Sequence, residues 1–168
     1  IPSSKEIDLE SAEDFQKFLA TFRGKVSEKE KLLVGRWTGE NDTSEKNEWE
    51  ILQRKDRSFT MVIKNKDQKW EERSVLHGAW RVDRRKLLYV VLQVENFHLP
   101  FSDLKIQDED VTTLEKNNFV TVGEEEDGNS FNSKQARTKR FQSPRMWLYN
   151  NPESLENFTF HIPPEPGR

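Results

Sequence analysis

Cysteine does not occur among the 168 residues. Disulfides, thiolate metal sites and cysteine nucleophiles are therefore excluded. Apolar side chains are scarce as well, at 33% against 34% charged. Burial then falls on a few large side chains, eleven Phe and five Trp, because each aromatic covers far more area than a valine. An excess of one charge is also lacking. A net charge of −3 with acids and bases interspersed gives no broad footprint for nucleic acid or an anionic membrane surface. No apolar run approaches the ~20 residues that span a bilayer. A Gly-x-Ser-x-Gly elbow, a P-loop and a dinucleotide fingerprint are all missing. No helical crossover pattern separates the strand-like segments, which argues against βαβ architectures.

What is present reads as one mainly β domain, long enough for a core of its own. Residues 1–10 are polar and unpatterned, and we expect them to be loose. A helix follows over 11–26, opened by Ser11 with Asp14 three residues on and ended by Gly24. Phe15, Phe18, Leu19 and Phe22 form a single apolar stripe on it. The stripe is expected to cover a sheet face. A membrane-surface or partner-docking role is the sharper alternative, poorly served by Lys17 and Arg23 as its only flanking bases. Ser27 and Glu30 make a second capping box.

Two Gly-x-Trp steps then stand out, Gly35-Arg36-Trp37 and Gly78-Ala79-Trp80. Short alternating segments and polar turns surround them. Strands are expected over 48–54, 58–64, 69–76, 78–82, 86–94, 102–107, 111–115, 119–122 and 134–141, with Asp108-Glu109-Asp110 as a turn. The segment Lys86–Val94 is apolar on both parities, so both its faces should be covered, and the helical stripe is the candidate cover. Residues 142–168 hold five of the seven prolines, with a candidate edge strand over 156–162.

The succession of short helix, Gly-x-Trp step, strand pairs and an arginine-bearing last strand resembles the lipocalin-like β-barrels of the calycin group, in particular small bacterial lipocalin-like domains. The resemblance spans 27–141 and rests on short motifs. It implies an antiparallel up-and-down barrel with the N-terminal helix packed on it. Gly35-Arg36-Trp37 matches the family's first-strand motif. Arg137 and Arg140 are the candidates for the last-strand arginine that packs on the first-strand Trp, which would make Gly35, Trp37 and one arginine the structural closure. The chain departs from secreted members in having no cysteine and no Thr-Asp motif in its middle.

Candidates for chemistry are few. His77, His98 and His161 lack metal-ligand spacing, so we expect neither metal nor cofactor. The carboxylate pairs Glu71-Glu72 and Glu48/Glu50 can run acid/base chemistry only when one member is desolvated. The acidic loop Glu124–Asp127 lacks the alternating spacing of a calcium loop. The basic clusters at 84–86 and 134–140 read as outer barrel faces. Six side chains recur on neighbouring strands: Trp49, Phe59, Met61, Trp70, Trp80 and Tyr89. They either fill the barrel or line a cavity, with Arg73, Gln93 or Arg81 to orient a ligand.

The expected function is non-catalytic binding of a small hydrophobic or amphipathic molecule. The alternatives are a filled barrel that serves the cell envelope as a protein-interaction module, and a small barrel enzyme. The start at Ile1 and the sequons at Asn41 and Asn157 lead us to expect a removed leader and a location outside the cytoplasm.

Overall fold

The computed structural model describes residues 4–6, 12–43, 45–95, 97–100, 103–125 and 127–149. The helix cap at Ser11, the side chain of Phe15, His161, the second sequon and the candidate strand at 156–162 lie outside them. Ten strands form one sheet: β1 (Ser4–Glu6), β2 (Gly35–Asn41), β3 (Asn47–Gln53), β4 (Ser58–Asn65), β5 (Leu76–Asp83), β6 (Lys86–Val94), β7 (Phe97–His98), β8 (Lys105–Leu114), β9 (Asn118–Glu124) and β10 (Ser130–Arg137). All neighbours run antiparallel. Pairing of β10 with β2 and of β6 with β8 closes eight of them into an up-and-down barrel. Closure gives each of these eight strands a neighbour on both sides and so removes the long open edges that invite aggregation. The chain is mainly β; the described residues include two short α-helices, α1 (Ala12–Ala20) and α2 (Glu28–Lys31).

Three local expectations are corrected. Residues 4–6 are not loose: β1 pairs with Lys105–Gln107, the part of β8 that extends past the end of β9. Its backbone groups would otherwise lie unpaired. Segment 69–76 is not a strand but a loop with a 3-10 turn at Trp70–Glu72, and β5 starts only at Leu76. Asp108-Glu109-Asp110 is no turn. β8 runs straight through it, because Lys86 on the neighbouring strand faces both Asp108 and Asp110, at 4.0 and 3.8 Å. Strand alternation then sends Glu109 to the opposite face.

The expected cover of β6 is found. Leu19 and Phe22 of the helical segment pack on Ala79, Leu88, Val90 and Leu92 on the outer barrel wall. Arg81 stands 5.3 Å over the Phe22 ring. A second outer cluster joins Leu52, Val62 and Val75 to Phe141 and Met146 of the segment after β10. Glu50 holds that segment by accepting hydrogen bonds from the backbone N–H groups of Gln142 and Ser143.

One end of the barrel is shut by a clasp. Trp37 is fully buried and meets Phe119 edge-on at 4.7 Å. Arg137 lays its guanidinium 4.3 Å from the Trp37 ring centroid. The same guanidinium donates to the carbonyls of Leu32, Val34 and Lys116. Gly35 makes this possible twice over. Its φ of +132° is a glycine conformation, and a Cβ there would sit 2.4 Å from Arg137 Nη1. Of the two candidate arginines, Arg140 is ruled out of the clasp. It lies past the end of β10, 6.0 Å over Trp147 instead.

The shut end has an ionic lock beside it. Ser27 Oγ accepts from Glu30 N–H, and Glu30 returns the bond to Ser27 N–H at 2.9 Å. Glu30 also pairs with Arg57 and accepts from Val82 N–H at 2.9 Å. Arg57 in turn donates to the carbonyls of Gly24 and Lys25. Burial pushes the Glu30 carboxyl up, but the Arg57 bonds and the Ser27 and Val82 N–H groups outweigh it and bring the pKa down to about 2.

Two outcomes are expected. Arg137→Met keeps the stem but loses three charge-assisted bonds and the ring contact. It should destabilise the fold by about 3 kcal/mol in urea unfolding; a loss below ~1 kcal/mol would show that the clasp is not structural. Glu30 has a depressed folded pKa, so its contribution is present above pH 4.5 and lost as pH falls towards 2. Glu30→Gln should therefore lower stability at pH 7 and flatten the pH dependence within that window.

Candidate functional site

Alternate residues face inward along the strands, among them Trp49 and Ile51 of β3, Phe59, Met61 and Ile63 of β4, Leu87, Tyr89 and Val91 of β6, Glu109 and Val111 of β8 before its bulge, and Phe131, Ser133 and Gln135 of β10. At the shut end they fill the barrel with Trp37, Phe119, Trp80 and Leu87. Towards the other end the filling stops, and a cavity of about 430 Å³ remains. That volume lies within the range of small-molecule sites. Its apolar wall is built from Trp49, Ile51, Phe59, Met61, Ile63, Val91 and Phe131. Gly123 makes room for it: a Cβ there would meet Phe131 at 2.7 Å and the Glu109 side chain at 3.2 Å. Asn41, Thr43 and Asn47 lie on the β2 and β3 side of the mouth, and Leu99 and Asp103 on the side before β8.

Polar groups enter at defined points. Tyr89, edge-on to Phe59 at 5.3 Å, donates from its hydroxyl to Gln53 Oε1. Gln53 Nε2 donates to the Leu33 carbonyl at 2.6 Å, which also accepts from Trp37 Nε1. The cavity floor is thus wired to the clasp. Trp49 Nε1 donates to Gln135 at 3.3 Å. Glu109 projects between β9 and β10, where its Oε1 accepts from Thr121 at 3.0 Å and Ser133 at 3.2 Å. Burial pushes the Glu109 carboxyl up, partly countered by those two hydroxyls, with Asp108 adding to the rise. Burial and the nearby Glu109 charge also hold the Tyr89 hydroxyl well above its usual range.

Among the expected ligand residues, Trp49, Phe59, Met61 and Tyr89 line this cavity. Three do not. Trp80 is fully buried below it, with Nε1 donating to the Arg54 carbonyl. Trp70 sits outside the wall against the Leu52 and Val62 cluster, under the Lys64 ammonium at 4.8 Å. Arg73 holds the same loop by donating to the Ile63 carbonyl. Both belong to the segment expected as a strand over 69–76, and strand alternation does not apply to a loop with a 3-10 turn. Gln93 and Arg81 are likewise engaged elsewhere, with the Glu95 carbonyl and the Phe22 ring.

Glu109, Phe131, Ser133 and Gln135 escaped the sequence reading. The last three alternate with Ser130, Asn132 and Lys134, a period-two signal that starts four residues before the segment read as a strand. Glu109 was hidden by its acidic neighbours.

Two of the remaining candidates, His77 and Glu48, have partners within the protein. His77 Nδ1 lies 2.9 Å from Thr60 Oγ1, and burial beside Arg54 lowers its pKa to about 4. Glu48 pairs with Lys64 at 2.9 Å. Among the described residues no three His, Asp or Glu side chains converge as metal ligands, and no helix is long and apolar enough to cross a membrane. A depression of about 520 Å³ on the outer wall, between Glu40, Glu48, Trp70 and Lys134, is broad and lined by charges of both signs.

Glu109 supplies a sign test. A raised carboxyl pKa means that ionisation costs the fold stability as pH rises from 4.5 through the raised value. Glu109→Gln keeps an acceptor for Thr121 and Ser133 without the charge. Its urea midpoint should exceed that of the unaltered chain at pH 7, with the difference closing below pH 4.5. A lower midpoint at pH 7 would contradict the burial of this carboxyl.

No family model and no curated protein sequence matches the chain. Among solved structures, a de novo designed fluorescence-activating β-barrel is similar at 12% identity and a TM-score of 0.40, over 67% of this chain and 100% of that one. The barrel described here rests on its own strand pairing.

Proposed function

We propose that this barrel binds one small, largely apolar molecule in the cavity above its clasp and performs no chemistry on it. The supporting observation is the division of the interior. One end is packed solid around Trp37 and Trp80, while the other holds about 430 Å³ walled by aromatic and aliphatic side chains. An apolar wall with a few placed polar groups is the usual composition of a small-molecule site. Hydroxyl and amide groups, rather than a nucleophile with an adjacent base, supply most of the polar lining. In this reading the protein acts outside the cytoplasm, as its sequons suggest, and the lipocalin-like resemblance at Gly35-Arg36-Trp37 agrees with a carrier role.

Nile red, a neutral apolar dye, provides the test. Saturable one-to-one binding with quenching of tryptophan fluorescence is expected. Met61→Trp, which adds bulk on the cavity wall, should weaken binding about tenfold or more, equal to about 1.4 kcal/mol, while the fold survives in far-UV circular dichroism. Absence of saturable binding, or binding that Met61→Trp leaves unchanged, would overturn the reading.

A further inference from the structure

Among the described residues, the charges on the cavity wall are of one sign. Among the described residues lining it, Glu109 and Asp103 are acidic, and none is Lys, Arg or His. This is unusual for the chain, whose acids and bases are nearly equal in number, 30 to 27. Elsewhere its buried acids are answered. Glu30 has Arg57, Asp108 has Lys86, and Glu50 has two backbone N–H groups.

Glu109 has only two hydroxyls, both on the same oxygen. Its Oε2 takes no hydrogen bond among the described residues, and the side chain faces the cavity. Four rings, Trp49, Phe59, Tyr89 and Phe131, surround the same space. Ring faces attract cations, and a carboxylate in a low-dielectric site needs a partner charge.

Resting on the ligand-binding reading above, we infer that the cavity takes an amphipathic amine: a small organic cation whose ammonium group bonds Glu109 Oε2 while its apolar body lies among the Trp49, Phe59 and Phe131 rings. The ammonium supplies the countercharge that the wall lacks. Thr121 and Ser133 keep Oε1 engaged, so Oε2 stays directed at the ligand. Asp103 at the mouth adds attraction for a cation on approach. Burial of the free carboxyl, which raises its pKa, agrees with a site completed only when a cation enters.

Matched octyl probes test this on the full chain by isothermal titration calorimetry at pH 7: octylamine, octanol and octanoate. Octylamine is expected to bind about tenfold or more tighter than octanol, with octanoate weakest, as a desolvated charge pair requires. Glu109→Gln should remove the amine preference, so that octylamine binds no tighter than octanol to the same variant; its folding is checked by the urea midpoint. The probe series on the unaltered chain needs no variant. Octanol or octanoate binding as tightly as octylamine would overturn the amine inference and leave the ligand-binding reading standing. An amine preference that persists in Glu109→Gln would also overturn it. Failure of all three probes together with Nile red would overturn both.

Discussion

The contact between Arg137 and Trp37 is the constraint on which the rest of this barrel depends. It joins β10 to β2, and it does so at a point where the backbone bends. Gly35 takes a positive φ and leaves space that any Cβ would occupy. The guanidinium covers the indole on one side and collects carbonyls from the chain before β2 and from the β8–β9 turn on the other. A planar five-donor group suits this task, and a lysine would not replace it. Once the end is shut, Phe119, Trp80 and Leu87 pack against Trp37, and the solid half of the interior follows.

That arrangement also decides where the barrel is hollow. Gln53 and Tyr89 form the boundary, tied through the Leu33 carbonyl to the Trp37 indole. Below them, large rings meet edge-on. Above them, side chains stop short of each other across the barrel. An eight-stranded barrel is just wide enough for either outcome, so the choice lies with individual residues. Small ones such as Gly123 and Ser133 free volume that a bulkier residue would fill. The outer wall is stabilised separately, by the Leu19 and Phe22 face on β5 and β6 and by the Phe141 and Met146 segment on β3 and β4.

The closed end was legible in the sequence because its signals are local. Gly-x-Trp, the Ser27/Glu30 capping box and the two-parity run of β6 each report on a few consecutive residues, and each corresponds to a structural feature. The hollow end was only half legible. Trp49, Phe59, Met61 and Tyr89 were found by alternation on strands of regular pairing. Trp70 and Arg73 were misplaced because a loop with a 3-10 turn carries no two-residue period. Glu109 was missed for a different reason. Three consecutive acids look like a solvated turn, and only the cross-strand lysine, 22 residues away at Lys86, shows that the outer two face it and the middle one faces inward. Cross-strand partners of that kind cannot be read from one segment alone.

The central claim is a barrel locked at one end and able to accept a small molecule at the other. The side-chain N–H resonances of its five tryptophans report on both ends at once. Trp37 Nε1 is bound to the Leu33 carbonyl at the clasp, and Trp49 Nε1 to Gln135 beside the cavity. Titration of isotope-labelled protein with octylamine, followed by heteronuclear NMR, should shift the Trp49 indole signal saturably and leave that of Trp37 in place. A Trp49 signal that does not move while Trp37 shifts, or no shift at either, would contradict the account.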